Sequence, residues 1–413
     1  MGARTVVILG GGTGGLVAAN ELARRLPGGH RIVLVERSGR HAFAPSFLWL
    51  MTGARRPAQI TRDVRALVPR RVEVVQAEAE SIDGEKGRIG TGAGAIAYDH
   101  LVIALGAELA PEAIPGLAEA AHTFYTLEGA ERLQAALRDF AGGTVAVVVS
   151  ALPYKCPGAP HEGAMLLADH FQRRGLRGKV ELHLFTPEPQ AMPVAGPELG
   201  SAVAGMLEVR GIAFHPSHKL TAVHSQSREL AFDGRPSARY DLLVAIPPHR
   251  GPRLVRDAGL ANEAGWVPVD RRTLATARER VYAVGDVTAI PIPGRWKPDA
   301  PLMLPKAGVF AHEQARLVAQ RIAAEISGGE APGEFCGDGY CMLEAGEDLA
   351  GFAAGNFFAV PSPEVRLRRV GRAWHLGKVL FEQWWLSPPG LRRRALELGL
   401  RSGARAFGVR LTL

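Results

Sequence analysis

Val6-Val7-Ile8-Leu9-Gly10-Gly11-Gly12-Thr13-Gly14-Gly15 is the stretch that decides the fold of this chain. Four apolar residues in a row read as a strand buried on both faces. The turn that follows matches G-x-G-x-x-G at Gly10, Gly12 and Gly15. The three glycines serve, in order, a tight turn, close approach of the backbone to a pyrophosphate, and close packing of helix on strand. The helix expected over 14–26 would then aim its N-terminus at phosphate. Arg31 to Val35 reads as the next strand, closed by Glu36 about 20 residues on, where a carboxylate accepts from ribose hydroxyls. A glycine-rich turn alone is a weak signal. Strand, helix and carboxylate in sequence make it a dinucleotide-binding βαβ unit, and a turn built only for packing does not account for Glu36.

A second unit opens at Thr144-Val145-Ala146-Val147-Val148-Val149, and its turn reads differently: Ser150-Ala151-Leu152-Pro153-Tyr154-Lys155-Cys156-Pro157-Gly158. The glycines that admit a pyrophosphate are gone. A helix is expected over 162–174 and a strand over Val180–Phe185, and Thr186-Pro187 follows that strand where a second dinucleotide would need a carboxylate. The architecture is that of two nucleotides, with one site lost and a thiol in its place. The expected reductant is therefore not NADH. Cys156 stands beside Lys155 and just ahead of a helix, a setting expected to favour its thiolate. Glu162, six residues on, is a candidate proton acceptor. The plainer fate of such a residue is a buried, inert thiol, but the flanking prolines and charges argue against a smooth apolar setting.

Two further pieces face the first turn. Leu101 to Ala107 reads as a buried strand with a glycine stop, bringing Ala104 and Gly106 to its end. Val281 to Val284 is another, followed by Gly285-Asp286, where a carboxylate can accept from a ribityl hydroxyl; an ordinary turn aspartate is the alternative. Three separated pieces converge on one FAD, with Gly10, Gly12, Gly15, Glu36, Arg37, Ala104, Gly106, Gly285, Asp286 and Lys306 as its expected contacts. Lys306 begins a long amphipathic helix over 308–327. It would place a cation where a reduced flavin gains negative charge, unless it is simply a solvated lysine.

A chain of 413 residues exceeds one ordinary core. With 47% hydrophobic and 22% charged residues it reads as globular. No apolar run reaches the ~18 residues of a spanning helix, and no leader precedes the first strand, so synthesis and retention in the cytosol are expected. Three cysteines, Cys156, Cys336 and Cys341, are no disulfide framework; in a cytosolic protein a lone pair reads as redox-active. No metal cluster is read. The net charge of +8 admits nucleic acid or an anionic membrane.

These pieces together resemble sulfide:quinone oxidoreductase, of the two-dinucleotide-domain flavoprotein superfamily. The resemblance rests on the first turn, Tyr154-Lys155-Cys156-Pro157-Gly158 with Glu162, Gly285-Asp286, Pro305-Lys306, the Cys341 region and Lys378-Val379-Leu380-Phe381-Glu382. It implies that Cys156 and Cys341 relay sulfur and electrons beside the flavin, that Glu162 is a base, and that Lys306 lies near flavin and quinone. Some relatives carry an earlier cysteine that forms a thioether to the flavin. No cysteine precedes Cys156 here, so the resemblance is to the two-cysteine type with non-covalent FAD, and Cys336 is expected to be structural.

The implied fold is α/β. An FAD-binding domain spans 1–111 and 255–330, and a second Rossmann-like domain, degenerate for NAD, spans 112–254. A C-terminal β layer and helical membrane-binding tail span 331–413. The implied partners are sulfide, ubiquinone or menaquinone, and the membrane surface, with no nucleic acid; a homo-oligomer is left open. The expected location is peripheral, on the cytoplasmic side of the cell membrane. In the tail, Leu391, Ala395 and Leu398 fall along one side of a helix with Arg392, Arg393, Arg394 and Arg401 around them, and Trp384-Trp385 precede it as expected interface residues. The rival readings are a type II NADH:quinone reductase and the flavoprotein subunit of a sulfide dehydrogenase.

Overall fold

The structure is a computed structural model, and it describes residues 2–297, 301–409, 411 and 413. Strand β1 (Thr5–Leu9) runs through the glycine turn into helix α1 (Thr13–Arg25) and strand β2 (Arg31–Val35). Strands β3 (Val72–Val75) and β4 (His100–Ile103) follow. The apolar run of β1 is buried on both sides, as its composition predicts: Val6 and Ile8 face the core under α1, while Val7 and Leu9 face a separate core across the sheet. All four are fully buried, each worth roughly 1.5–3 kcal/mol of transfer free energy.

The second half repeats the plan. Strand β5 (Gly143–Val149) leads through the cysteine turn into helix α2 (Ala159–Arg173), then strands β6 (Val180–Phe185), β7 (Ile212–His215) and β8 (Leu242–Ile246). They pair in the order β7-β6-β5-β8, all parallel. Val145, Val147 and Val149 face one core, and Ala146 and Val148 another. Each half also carries a three-stranded antiparallel meander just before its closing strand, over 79–97 and over 220–239.

The chain then returns. Strand β9 (Val281–Ala283) pairs with β4 and completes the first sheet, β9-β4-β1-β2-β3, all parallel. Helix α3 (Gly308–Ser327) packs along α1. The C-terminal region forms an antiparallel sheet of β10 (Asp338–Gly346), β11 (Leu349–Asn356) and β12 (Glu364–Gly371), followed by helices α4 (Arg372–Trp385) and α5 (Leu391–Ala406). Among the described residues no helix is long and apolar enough to cross a membrane.

One expectation for the tail is corrected here. Trp384 and Trp385 are buried in the core shared by α1 and α3, so they offer nothing to a lipid interface. The stripe expected on α5 does face outward: Leu391 is 83% and Leu398 67% exposed, while Leu400 is tucked into the protein.

Candidate active site between the two nucleotide folds

A cavity of about 1120 Å³ opens between the two sheets and the C-terminal layer. Its walls bring together the glycine turn, the cysteine turn, Asp286, Lys306, Cys341 and Lys378.

The glycines of the first turn do what their spacing predicts. A side chain at Gly15 would place its Cβ 1.8 Å from the Gly10 carbonyl oxygen, so helix and strand meet there only because it has none. Gly10, at φ +97°, lies against the Ala104 carbonyl, where a Cβ would stand 2.6 Å away. A Cβ on Gly12 would meet nothing within 4 Å, because that position faces the open cavity. Glu36 lines the same cavity and accepts from the Gly11 N–H at 2.5 Å and the Ser38 N–H at 2.9 Å. Farther along, Oδ1 of Asp286 is buried and has no hydrogen-bond partner, although it lines the cavity. A buried polar atom left unpaired costs about 1–3 kcal/mol, so a donor belongs opposite it. An open glycine cradle, a strand-end carboxylate and an orphaned carboxyl oxygen in one cavity fit the phosphates, ribose and ribityl chain of FAD.

The other expected contacts divide. Ala104, Gly106 and Gly285 do not line the cavity: the Ala104 carbonyl backs Gly10, Gly106 takes φ +69°, and Gly285, at φ +76°, donates its N–H to Gln314 at 2.7 Å. Arg37 points outward, its side chain 74% exposed and 4.0 Å from Glu78, so it does not reach the cavity. Lys306 does line the cavity, but its ammonium donates to the carbonyls of Asp286 at 2.7 Å and Thr288 at 3.1 Å and sits 3.4 Å over the Trp266 ring. Burial pulls its pKa down to about 8.

His41 carries no signal in the sequence. Trp385 Nε1 donates to His41 Nε2 at 2.8 Å, which leaves the proton on Nδ1 to bond the Gly11 carbonyl at 3.1 Å. Burial holds this imidazole neutral by lowering its pKa. The end of α4 thereby braces the glycine turn.

On the thiol side, Cys156 takes the left-handed conformation, φ +59°, uncommon outside glycine. Its N–H donates to the Lys306 carbonyl at 2.6 Å, and its carbonyl accepts from Ala159 at the start of α2. Cys341 projects from β10 so that its Sγ lies 3.4 Å from where a Gly158 Cβ would stand, two residues from Cys156. Both thiols line the cavity and both are free. Cys336 is exposed, its thiol toward the Glu334 carbonyl, and stands outside the cavity.

The expected thiolate at Cys156 is not favoured. Burial, then the Glu162 carboxylate, pushes its pKa up to about 12, against the opposing pull of Lys378. Burial raises Cys341 as well. Lys155, the neighbour credited with that pull, stands 6.0 Å over the Tyr125 ring. The cation that matters is Lys378 on α4, which bonds the Glu162 carboxylate and the Met342 carbonyl, the latter at 3.1 Å. It opens the Lys378–Glu382 motif, but helical periodicity gives no sign that a lysine points inward. Glu162, in the first turn of α2, also accepts from the Glu344 N–H at 2.9 Å, and burial raises its pKa.

The carboxylate nearest the end of β6 is Glu188, buried and accepting from Tyr154 OH at 2.9 Å and Thr186 at 3.3 Å. Burial pushes its pKa up to about 7.

Two parallel βαβ sheets with a shared four-strand core, around a dinucleotide cradle and a pair of thiols, define the class. The pyridine nucleotide-disulphide oxidoreductase profile matches residues 4–314, and the chain belongs to that family. It is an FAD-binding oxidoreductase. The sulfide-quinone reductase of Aquifex aeolicus is 28% identical over 424 residues, 97% of this chain and 96% of that one. The crystal structure of the sulfide:quinone oxidoreductase from that bacterium superposes with a TM-score of 0.83 at 26% identity, covering 98% of this chain and 94% of that one. The mitochondrial sulfide:quinone oxidoreductase of Mus musculus is 28% identical over 69% of this chain and 66% of its own length. A type II NADH:quinone oxidoreductase of Staphylococcus haemolyticus is 22% identical over 79% of this chain and 83% of its own length.

Proposed function

We propose that this chain oxidises sulfide with non-covalent FAD and passes the electrons to a membrane quinone, ubiquinone or menaquinone. The observation that carries the reading is the meeting of Cys156, Cys341 and Glu162 in the cavity that also holds the FAD determinants. When bound, FAD supplies a two-electron acceptor for the sulfur chemistry and a donor to quinone.

Each residue has its part. Hydrosulfide attacks a Cys156–Cys341 disulfide; a bond forms to one cysteine, the bond between the cysteines breaks, and the electron pair stays on the released thiolate. Glu162 takes the proton of the new persulfide. Lys378 compensates negative charge as it develops on sulfur and on Glu162. Asp286, Glu36 and the glycine turn orient the cofactor, and Lys306 fixes the Asp286 and Thr288 carbonyls. A second hydrosulfide attacks the outer sulfur of the persulfide and breaks its bond to cysteine, which releases the first member of a polysulfide chain and leaves two cysteine thiols, whose electron pair bound FAD would accept as the disulfide reforms. Leu391 and Leu398 with the surrounding arginines of α5 dock the protein peripherally on the cytoplasmic face of the membrane.

Anaerobic titration of the purified flavoprotein with sulfide, then with NADH, tests the reading. Sulfide should bleach the flavin and NADH should leave it oxidised. Bleaching by NADH alone would move the chain to the type II reductases.

A further inference from the structure

Removing a proton from a buried thiol is useful only if the proton can leave. Glu162 is itself buried, and each turnover loads it again. Behind it, away from the cavity, lies a row of polar groups that, past Lys378, the sulfur chemistry does not use. Lys378 is bonded to Glu162 and interacts with the Glu344 carboxylate. Glu344 is 1% exposed, and its Oε1 has no hydrogen-bond partner. Its Oε2 meets His375 Nδ1 at 2.9 Å. His375 Nε2 faces Asp348 Oδ1 at 3.9 Å, and the Asp348 side chain is 65% exposed.

We propose that Glu344 and His375 form the outlet by which the proton taken up by Glu162 reaches solvent at Asp348. This rests on the reading of the chain as a sulfide oxidase. Glu344, His375 and Asp348 come from three elements, none lines the cavity, and they neighbour one another in turn from the buried Glu344 carboxylate to the surface. A buried glutamate with one oxygen unpaired is costly as mere scaffolding; as a relay, that oxygen is the landing place.

The proton balance closes. Glu162 passes one proton to Glu344 through water beside Lys378, whose ammonium keeps its own protons. Glu344 hands that proton to Nδ1 of neutral His375, whose Nε2 proton leaves to Asp348 or water. The Nδ1 proton then exchanges with solvent, one water taking it while another protonates Nε2, and this restores the first tautomer. No oxidant or reductant is involved. The groups facing His375 are Glu344 on β10, Asp348 in the β10–β11 turn, Lys378 on its own helix and the Trp49 ring, 5.8 Å away; Arg173 of α2 pairs with Asp348 at 3.6 Å. The hydrogen bond that the protonated ring donates to the Glu344 carboxylate raises the His375 pKa, so the ring takes up a proton more readily than a free imidazole.

The test is rapid mixing of oxidised holoprotein with sulfide, without oxygen, in weak buffer with a pH indicator, following flavin bleaching and proton release together. In His375→Asn both should slow by at least about tenfold, the scale of a lost proton-transfer group, and added imidazole should restore them. Glu344→Gln should show the same slowing without the rescue. FAD content and far-UV circular dichroism show whether each variant is folded; if Glu344→Gln is not, His375→Asn decides. Unchanged rates in His375→Asn, or slow rates that imidazole leaves slow, overturn the outlet. Failure of sulfide to bleach the unaltered protein overturns instead the functional reading on which it rests.

Discussion

The turns at 10–15 and 150–158 occupy the same place in two parallel sheets that share a four-strand order, β4-β1-β2-β3 and β8-β5-β6-β7, with β9 added to the first. Each follows a central parallel strand and opens a helix, and each half inserts a meander before its closing strand. The first turn keeps its backbone bare so that a ligand can lie on it: Gly12 faces open space. The second is filled by Tyr154, Lys155 and Cys156, and its nearest strand-end carboxylate is occupied by a tyrosine hydroxyl. One scaffold thus yields an open glycine cradle where side chains are absent and a thiol-bearing wall of the cavity where they are present. The difference lies in a few residues at one position of the βαβ unit, not in the fold.

This contrast between the turns is open to measurement. The largest effect is expected from the thiols. Cys156→Ser or Cys341→Ser should lower sulfide-dependent quinone reduction by more than about 10³-fold, the scale of losing a nucleophile, with FAD still bound. Cys336→Ser should retain activity; a dead Cys336→Ser beside an active Cys341→Ser would refute the pairing. Glu162→Gln should cost roughly 10²-fold. Because burial raises the Glu162 pKa, the unaltered rate should fall as pH drops through that raised value, and the variant should lose this acid limb. A pH profile unchanged by the substitution counts against the base.

On the cradle side, Gly12→Val should leave the secondary structure intact but weaken FAD by at least about 100-fold, close to 2.7 kcal/mol, read as flavin lost on gel filtration. Full retention of flavin would mean that the cofactor does not lie on this turn. A smaller change is expected far from both turns. Leu391→Ser with Leu398→Ser should reduce binding to anionic vesicles about tenfold, given roughly 1.5–3 kcal/mol per inserted leucine discounted for partial burial. Equal sedimentation with vesicles would remove α5 as the anchor. The smallest effect is no effect at all: Tyr154→Phe frees Glu188 of its phenol, yet NADH should still fail to bleach the flavin, because the glycines remain missing.

The elements legible in the sequence were those governed by short-range rules. Glycine spacing and a continuous apolar run placed β1, α1 and Glu36, and a strand followed by Gly285-Asp286 placed a carboxylate whose free oxygen faces the cavity. Properties set by distant contacts were not legible. Lys155 is adjacent to Cys156 in sequence, but Lys378, more than two hundred residues away, is the cation that bears on the thiols. The tryptophans before α5 have the composition of a membrane belt, yet the chain folds them inward against α1 and α3. Arg37 was one residue too far along a strand end. His41 offered no periodic or spacing signal, because its role depends on Trp385.

That last contact has a consequence for how the protein is made. His41 and Trp385 are 344 residues apart, and through them the Gly11 carbonyl is tied to the end of α4. A ribosome finishes the glycine turn early and supplies its brace late. Arg55 and Ser46 are held in the same way by Glu382, one turn before Trp385. Flavin insertion should therefore be a post-synthetic event: stalled, ribosome-bound chains that end before α4 should carry no yellow colour, and chains released with α4 complete should take FAD up. Flavin on the stalled chains would show that the turn needs no such closure.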